Sequence, residues 1–186
     1  MIKAYNYGEY AIRIYEAPPY TKNSTDNKTY DKTIIIEEGE FYKCIEVEVE
    51  HDMKKRTALI ILSLYARLDS FTALHKDGLF LMFDRILCIF SPETLSIVKR
   101  IELDSAGMGE MFEVHPYGED YILYGECEIC RFSSDLTVQW EFFGKDIFVR
   151  YADDEPAFIM REDRICLYDF EDNYYEIDYD GNIIVG

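Results

Sequence analysis

A chain of 186 residues with 48% hydrophobic side chains has room for one domain, or two small ones packed together, around a real core. Its 37 acidic against 19 basic residues leave a net charge of −18, which repels phosphate backbones and anionic membranes and argues against nucleic acid or membrane as a partner. Five cysteines make an odd count rather than a disulfide framework, and the first sixteen residues hold no apolar core of signal-peptide length, so the reading is a cytoplasmic, reduced protein.

Residues 4–15, AYNYGEYAIRIY, read as two strands about a turn, ended by Ala17-Pro18-Pro19 because proline lacks the ladder N–H. The stretch 20–32, rich in Asn, Thr and Asp, predicts a mobile loop. Thr33–Ile36 is a short β-branched run, and Glu37-Glu38-Gly39-Glu40 has turn composition. Phe41–Glu50 then alternates, with Ile45, Val47 and Val49 on one face and Glu46, Glu48 and Glu50 on the other. That period of two predicts a strand with one face in water, paired with 33–36 as a hairpin. A polar break follows, with Lys54-Lys55-Arg56 as a loop neutralising its acidic neighbour. The run 57–68, TALIILSLYARL, suits a buried strand or a short buried helix, and Ile60-Ile61 favour the strand. Its apolar core, 58–66, is too short to cross a bilayer.

Three blocks then align without a gap: LFLMFDRILCIF (Leu79–Phe90), YILYGECEICRF (Tyr121–Phe132) and AFIMREDRICLY (Ala157–Tyr168). Each has four mainly apolar residues, a turn rich in charge or glycine, and a mixed strand ending in an aromatic, which is a hairpin pattern. The blocks end 42 and 36 residues apart, a spacing typical of repeated sheet units. Each continues into a further strand: Leu95–Leu103 after Ser91-Pro92-Glu93-Thr94, Leu136–Phe143 after Ser133-Ser134-Asp135, and Tyr174–Tyr179 after Asp169–Asn173. Asp180-Gly181 reads as a type I′ turn into Asn182–Val185. The expected fold is mostly β, a single domain of repeated antiparallel meanders (79–103, 121–143 and 157–185) with a degenerate β part at 1–70 and little helix. Residues 4–15 can be laid on the second block as a fourth copy.

Residues 79–185 thereby resemble the blades of WD-type or quinoprotein-type β-propellers. They lack the WD dipeptide, the GH pair and the tryptophan-docking signature of those families. Three units do not close a propeller, so either 1–70 supplies further blades or the units form an open curved sheet or a sandwich.

Motifs with chemistry are few. Cys127-Glu128-Ile129-Cys130 has redox spacing, but Cys130 holds the same repeat position as Cys88 and Cys166, which makes it a packing residue. His51, His75 and His115 are scattered, and His115-Pro116 suits an extended loop. Neither a cofactor nor a metal is expected. The loops at 104–110, 116–120, 144–146 and 153–155, with Tyr151 nearby, supply the candidate partner-binding residues: Asp104, Glu110, Tyr117, Glu119, Asp120, Asp146, Tyr151, Asp153, Asp154 and Glu155. The function expected is a non-enzymatic acidic interaction module that captures a basic protein, in the manner of bacterial toxin-immunity proteins. The alternative is a hydrolase or small-ligand binder with a site in a central channel or between sheets. A pocket lined by two carboxylates or by His115 would favour that alternative.

Overall fold

The computed structural model describes residues 1–18, 20–21, 24–37, 42–64, 66–103, 109–150 and 156–186. Among them every regular element is a β-strand, seventeen in all, arranged as one five-stranded and three four-stranded sheets. The chain is all-β, as its aromatic and β-branched runs predict. No helix among the described residues is long and apolar enough to cross a membrane. The strands fall into two compact units, 1–68 with 72–101, and 69–71 with 102–186.

The first unit opens with a five-stranded sheet of β1 (Lys3–Tyr7), β2 (Tyr10–Glu16), β3 (Lys32–Ile35), β4 (Tyr42–His51) and β5 (Lys54–Ser63), in the order β1-β2-β4-β5-β3. β4 and β5 form a ten-pair antiparallel ladder from Tyr42↔Ser63 to His51↔Lys54. The run at 57–68 is therefore strand as far as Ser63, and Ala58–Leu62 are buried on both faces. That double burial explains why it shows no alternation. The hairpin expected between 33–36 and β4 does not form. β2 and β5 occupy both edges of β4, so β3 pairs with the free edge of β5, in parallel, from Lys32↔Ala58 to Ile35↔Ile61.

The glutamate face of β4 is partly covered rather than left wholly in water. Glu46 is buried and takes Lys28 Nζ at 2.7 and 2.8 Å. Glu48 accepts from Arg13 at 2.8 Å and faces Lys55 at 3.3 Å. Tyr20 and Tyr30, from the polar stretch expected to be mobile, pack with Tyr42 on Cys44, Leu59 and Ile61. Burial, then the Glu46 carboxylate, pushes the Tyr30 hydroxyl up to about 12. The basic triplet Lys54-Lys55-Arg56 begins β5, and Arg56 donates to the carbonyls of Pro92 and Glu93, both at 2.9 Å.

The β4–β5 turn is Asp52-Met53, with φ of 50° and 61°. Two left-handed residues in a two-residue loop are the geometry of a type I′ turn, here without glycine. The long ladder imposes it, at about 1–2 kcal/mol per strained residue. Met53 is 95% exposed, so its side chain contributes no packing. Met53→Gly is expected to stabilise the unit by about 0.5–1 kcal/mol after the entropy cost of glycine, read as a raised urea midpoint at unchanged m.

The unit's second sheet is a meander, β6 (Thr72–His75), β7 (Gly78–Phe83), β8 (Ile86–Ser91) and β9 (Ser96–Glu102), in sequence order. Every residue of β7 is buried, as are Ile86–Phe90 of β8. Tyr5 and Tyr7 of β1 donate to the carbonyls of Thr72 and Lys76 at 2.8 and 2.7 Å.

The second unit holds two more meanders: β10 (Met111–Tyr117), β11 (Asp120–Gly125), β12 (Glu128–Phe132) and β13 (Val138–Phe143), then β14 (Phe158–Met160), β15 (Arg164–Tyr168), β16 (Tyr174–Asp178) and β17 (Ile183–Val185). The gapless alignment of the three blocks carries into one shared register. Leu79 pairs with Phe90, Tyr121 with Phe132, and Tyr168 N donates to Ala157 O. Cys88, Cys130 and Cys166 sit opposite Leu81, Leu123 and Ile159 and are all buried, as packing positions should be. Residues 4–15 also form a hairpin, but Tyr7 pairs with Tyr10 and Ala4 with Arg13. Its two-residue turn, Gly8-Glu9, falls one residue earlier than the alignment implies, so its register differs from that of the three blocks.

Two turns of this unit share one local design. In DFEDN (Asp169–Asn173) and DYDGN (Asp178–Asn182), the Asp N–H donates to the Asn carbonyl, at 3.1 and 3.0 Å. The Asp carboxylate accepts from the N–H two residues on, at 3.0 Å in both, and from the Asn N–H, at 2.9 and 2.8 Å. Gly181 has φ of +87° while Asp180 has no positive φ, so the second turn is not the expected type I′. It is a three-residue loop with a left-handed glycine, because the Asp178 carboxylate holds its first half in the ordinary turn conformation. Trp140 packs against Gly181, where a Cβ would lie 2.6 Å from the ring, and its Nε1–H donates to Tyr179 O at 2.9 Å. The core of the unit joins Ile122, Tyr124 and Ile129 of one sheet to Ile165, Leu167, Tyr175 and Ile177 of the other, with Phe148 between them in sequence.

Candidate ligand cleft

β10 reads MFEVHPY, and its register shifts between Met111 and Glu113. Val114 is buried against the sheet interior, so Glu113 and His115 share the opposite face by strand alternation. Their side chains meet, with Glu113 Oε2 2.8 Å from His115 Nε2. A carboxylate only accepts, so Nε2 carries the proton, and in the neutral ring Nδ1 is left as an acceptor. His115 and Pro116 lie in this strand rather than in the extended loop expected. Proline is tolerated because β10 is the edge of its sheet.

Across from this pair runs the start of the next meander. Phe158 of β14 lies 5.0 Å from the His115 ring and stacks on Tyr124 at 4.7 Å, with planes 18° apart. Tyr124 is fixed in turn by donating to Phe148 O at 2.6 Å. Between the two sheets opens a cleft of about 560 Å³, lined by Glu113, His115 and Tyr124 on one side and by 156–160 on the other. Glu113 and His115 keep 37% and 29% of their side-chain surface, so both are reachable from solvent.

The candidates at the loops fare differently. Asp120 accepts from Arg131 Nε at 2.7 Å, and Arg131 also donates to Tyr179 O at 2.6 Å. Tyr117 stacks on Tyr179 at 4.0 Å, with the same guanidinium 5.1 Å from its ring. These two are joined to each other through Arg131 and are engaged inside the unit. Glu119 is exposed beside Gly118, whose φ of +60° makes the β10–β11 turn. Glu110 is exposed, its backbone paired with that of Glu126, and Asp146 accepts from the Ile147 N–H at 2.7 Å. Asp104, Tyr151, Asp153, Asp154 and Glu155 lie outside the described residues.

Glu113 and Phe158 were not singled out from the sequence. An acid and a histidine two apart on a strand were readable as sharing a face, but nothing local pointed to Phe158. The other histidines stand apart, His51 stacked on Tyr10 at 4.5 Å and His75 buried with its Nδ1 accepting the Asp77 N–H at 3.0 Å. Among the described residues no group of three or more His, Cys, Asp or Glu could hold a metal ion.

The cysteine pair is two environments. Cys130 is buried in β12, while Cys127 is half-buried in the preceding turn. Burial, then the carboxylates of Glu126 and Asp146, pushes the Cys127 thiol up. A reactive thiolate needs the opposite shift. Iodoacetamide on the native protein at pH 7.5 is expected to label Cys127 first among the five, and more slowly than free cysteine, by mass spectrometry. Labelling faster than free cysteine would contradict this account.

No protein-family model matches the chain, and no curated protein matches it. Among solved structures, it is similar to a protein of unknown function from Bacteroides caccae, with a TM-score of 0.42 and 9% identity, covering 77% of this chain and 62% of that one. This chain thus spans less than two thirds of that protein's length.

Proposed function

We propose that this chain is a binding protein whose ligand sits in the cleft between β10 and β14. The observation that carries this is the Glu113–His115 pair facing Phe158 across about 560 Å³, a volume in the range of small-molecule sites. His115 held by a carboxylate resembles the base of a hydrolase, but catalysis needs more. Among the described lining residues there is no Ser, Thr or Cys for the histidine to activate and no Lys or Arg to stabilise a developing oxyanion. Binding is therefore the better reading. The five free thiols support a reducing, cytoplasmic setting, and the shared hairpin register supports the likeness of 79–185 to propeller blades.

The net charge of −18 supports a second reading, capture of a basic protein, through exposed acids such as Glu110 and Glu119. A fragment library screened by NMR on the full chain tests the first. Saturable shifts at His115, Tyr124 and Phe158, lost in Phe158→Ala, are expected. A library that moves none of these residues would sink the cleft. A basic protein captured from lysate equally by wild type and Phe158→Ala, and released by salt, would favour the second.

A further inference from the structure

Resting on that reading of the cleft, we propose that its ligand is an extended basic segment of a partner protein, added as a strand to the free edge of β14. Successive side chains of a strand point to opposite faces, so a cleft that meets one face of a strand touches every second residue. On β10 this holds, with Glu113 and His115 in the wall. On the other side five consecutive residues, 156–160, line the cleft. That requires the cleft to run along the edge of β14, where the backbone itself is presented, for about 17 Å of strand. Tyr168 N–H donates to Ala157 O at 2.9 Å and Arg161 N–H to Arg164 O at 2.8 Å, so 157 and 161 face β15. Phe158 and Met160 therefore sit in non-hydrogen-bonded pairs with Leu167 and Ile165, and their N–H and C=O groups point away from β15. β14 is the end of its sheet, and among the described residues nothing bonds these four groups.

An unpaired strand edge is a template for another chain: main-chain bonds hold the added strand, and its alternate side chains give specificity. Phe158 and Met160 pack on the core of the unit, so side chains of the added strand on that face are apolar. Charge selects the rest. Residues 69–71 and 102–186 hold 23 of the 37 acidic residues and five of the 19 basic ones, whereas the first unit holds 14 of each. The whole net charge of −18 thus falls on the unit that carries the cleft. Its field draws in a basic segment, repels an acidic one, and repels a second copy of the same unit. The occupant is accordingly a strand in which apolar residues alternate with Lys or Arg.

The probe is the acetylated, amidated peptide KVKVKVK, titrated into the full chain by NMR and calorimetry beside its anionic counterpart EVEVEVE. At saturation KVKVKVK is expected to slow amide hydrogen exchange at Phe158 and Met160 by about tenfold or more, because each N–H gains a bond. Its affinity is expected to fall several-fold as salt is raised, and EVEVEVE to leave the cleft unmoved. Met160→Pro removes one edge N–H and no bond to β15, and Met160→Ala is its packing control. Proline is expected to weaken KVKVKVK about tenfold relative to alanine, the loss of one hydrogen bond. The exchange result on wild type decides the matter even where the proline variant does not fold. Unchanged exchange at Phe158 and Met160, equal affinity of the two variants, or equal binding of EVEVEVE would overturn the added basic strand. Fragments that still shift His115, Tyr124 and Phe158 would then leave the cleft as a small-molecule site. Protection of the same N–H groups in the concentrated protein alone would assign the edge to a second copy and overturn the proposal as well. Silence of the cleft residues to both peptides and to the fragment library would remove the strand and the cleft together.

Discussion

Asp169→Ala is expected to destabilise the second unit by about 3–5 kcal/mol. Asp169 is fully buried and begins the turn between β15 and β16. Its Oδ1 accepts the backbone N–H groups of Glu171 and Asn173 at 3.0 and 2.9 Å, and its Oδ2 accepts the Tyr175 hydroxyl at 2.6 Å and Asn173 Nδ2 at 2.9 Å. Alanine leaves all four donors without their acceptor, and Tyr175 is itself part of the core that joins the two sheets. Asp169→Asn keeps one carbonyl oxygen for the two N–H groups but sets an amide against Tyr175 and Asn173, so an intermediate loss of about 2 kcal/mol is expected. Equilibrium denaturation measures both, and equal stability of Asp169→Ala and wild type would refute the role of this carboxylate.

The same group sets an acid limit. Burial alone would raise the Asp169 carboxyl, but the bonds from Tyr175, Asn173 and two backbone N–H groups outweigh it and hold the group below its ordinary value. Asp178, chiefly through Asn182, is held low in the same way. A depressed carboxyl contributes stability that is present above the unfolded value of about 3.9 and lost as pH falls through the folded one. Wild-type stability is therefore expected to decline below about pH 4, and Asp169→Ala to show a shallower decline over the same window.

Gly78→Ala is the second large effect, expected in the first unit at about 4 kcal/mol or more. Gly78 enters the fully buried strand β7 with φ of +137°, a conformation that residues with a Cβ rarely adopt. A Cβ there would lie 2.1 Å from the Phe90 carbonyl oxygen and 2.8 Å from Pro92 Cδ. Neither neighbour yields cheaply: Phe90 is buried backbone paired with Leu79, and the Pro92 carbonyl accepts from Arg56. Gly8→Ala is the control, since Gly8 has φ of +55° but nothing within 4 Å of an added Cβ. It should cost only the left-handed strain, about 1 kcal/mol. Comparable losses for the two substitutions would mean that close packing at Gly78 does not decide the effect.

The features that could be read from the chain are those whose energetics are local. A twelve-residue hairpin brings its own partners together, so the three aligned blocks foretold three hairpins in one register, and the matching positions of Cys88, Cys130 and Cys166 followed. The five-residue turns at 169–173 and 178–182 are closed by their own Asp and Asn side chains, which places them within reach of sequence reading, although the second is a three-residue loop rather than the type I′ turn that Asp180-Gly181 suggests.

What only tertiary structure decided involves competition between distant segments. β3 has no local signal for choosing β5 over β4; the choice follows from β2 already holding the other edge of β4. Alternation placed the glutamates of β4 on one face, but Tyr20, Lys28 and Tyr30, from another part of the chain, pack beside that face and pair its Glu46. Asp52-Met53 adopts a turn its residues disfavour because ten ladder pairs outweigh two strained dihedrals. The cleft is the same case. Strand period puts Glu113 beside His115, whereas Phe158 reaches them only because the two sheets share one core, and hydrophobic burial, being non-directional, leaves no mark of its partner in the sequence.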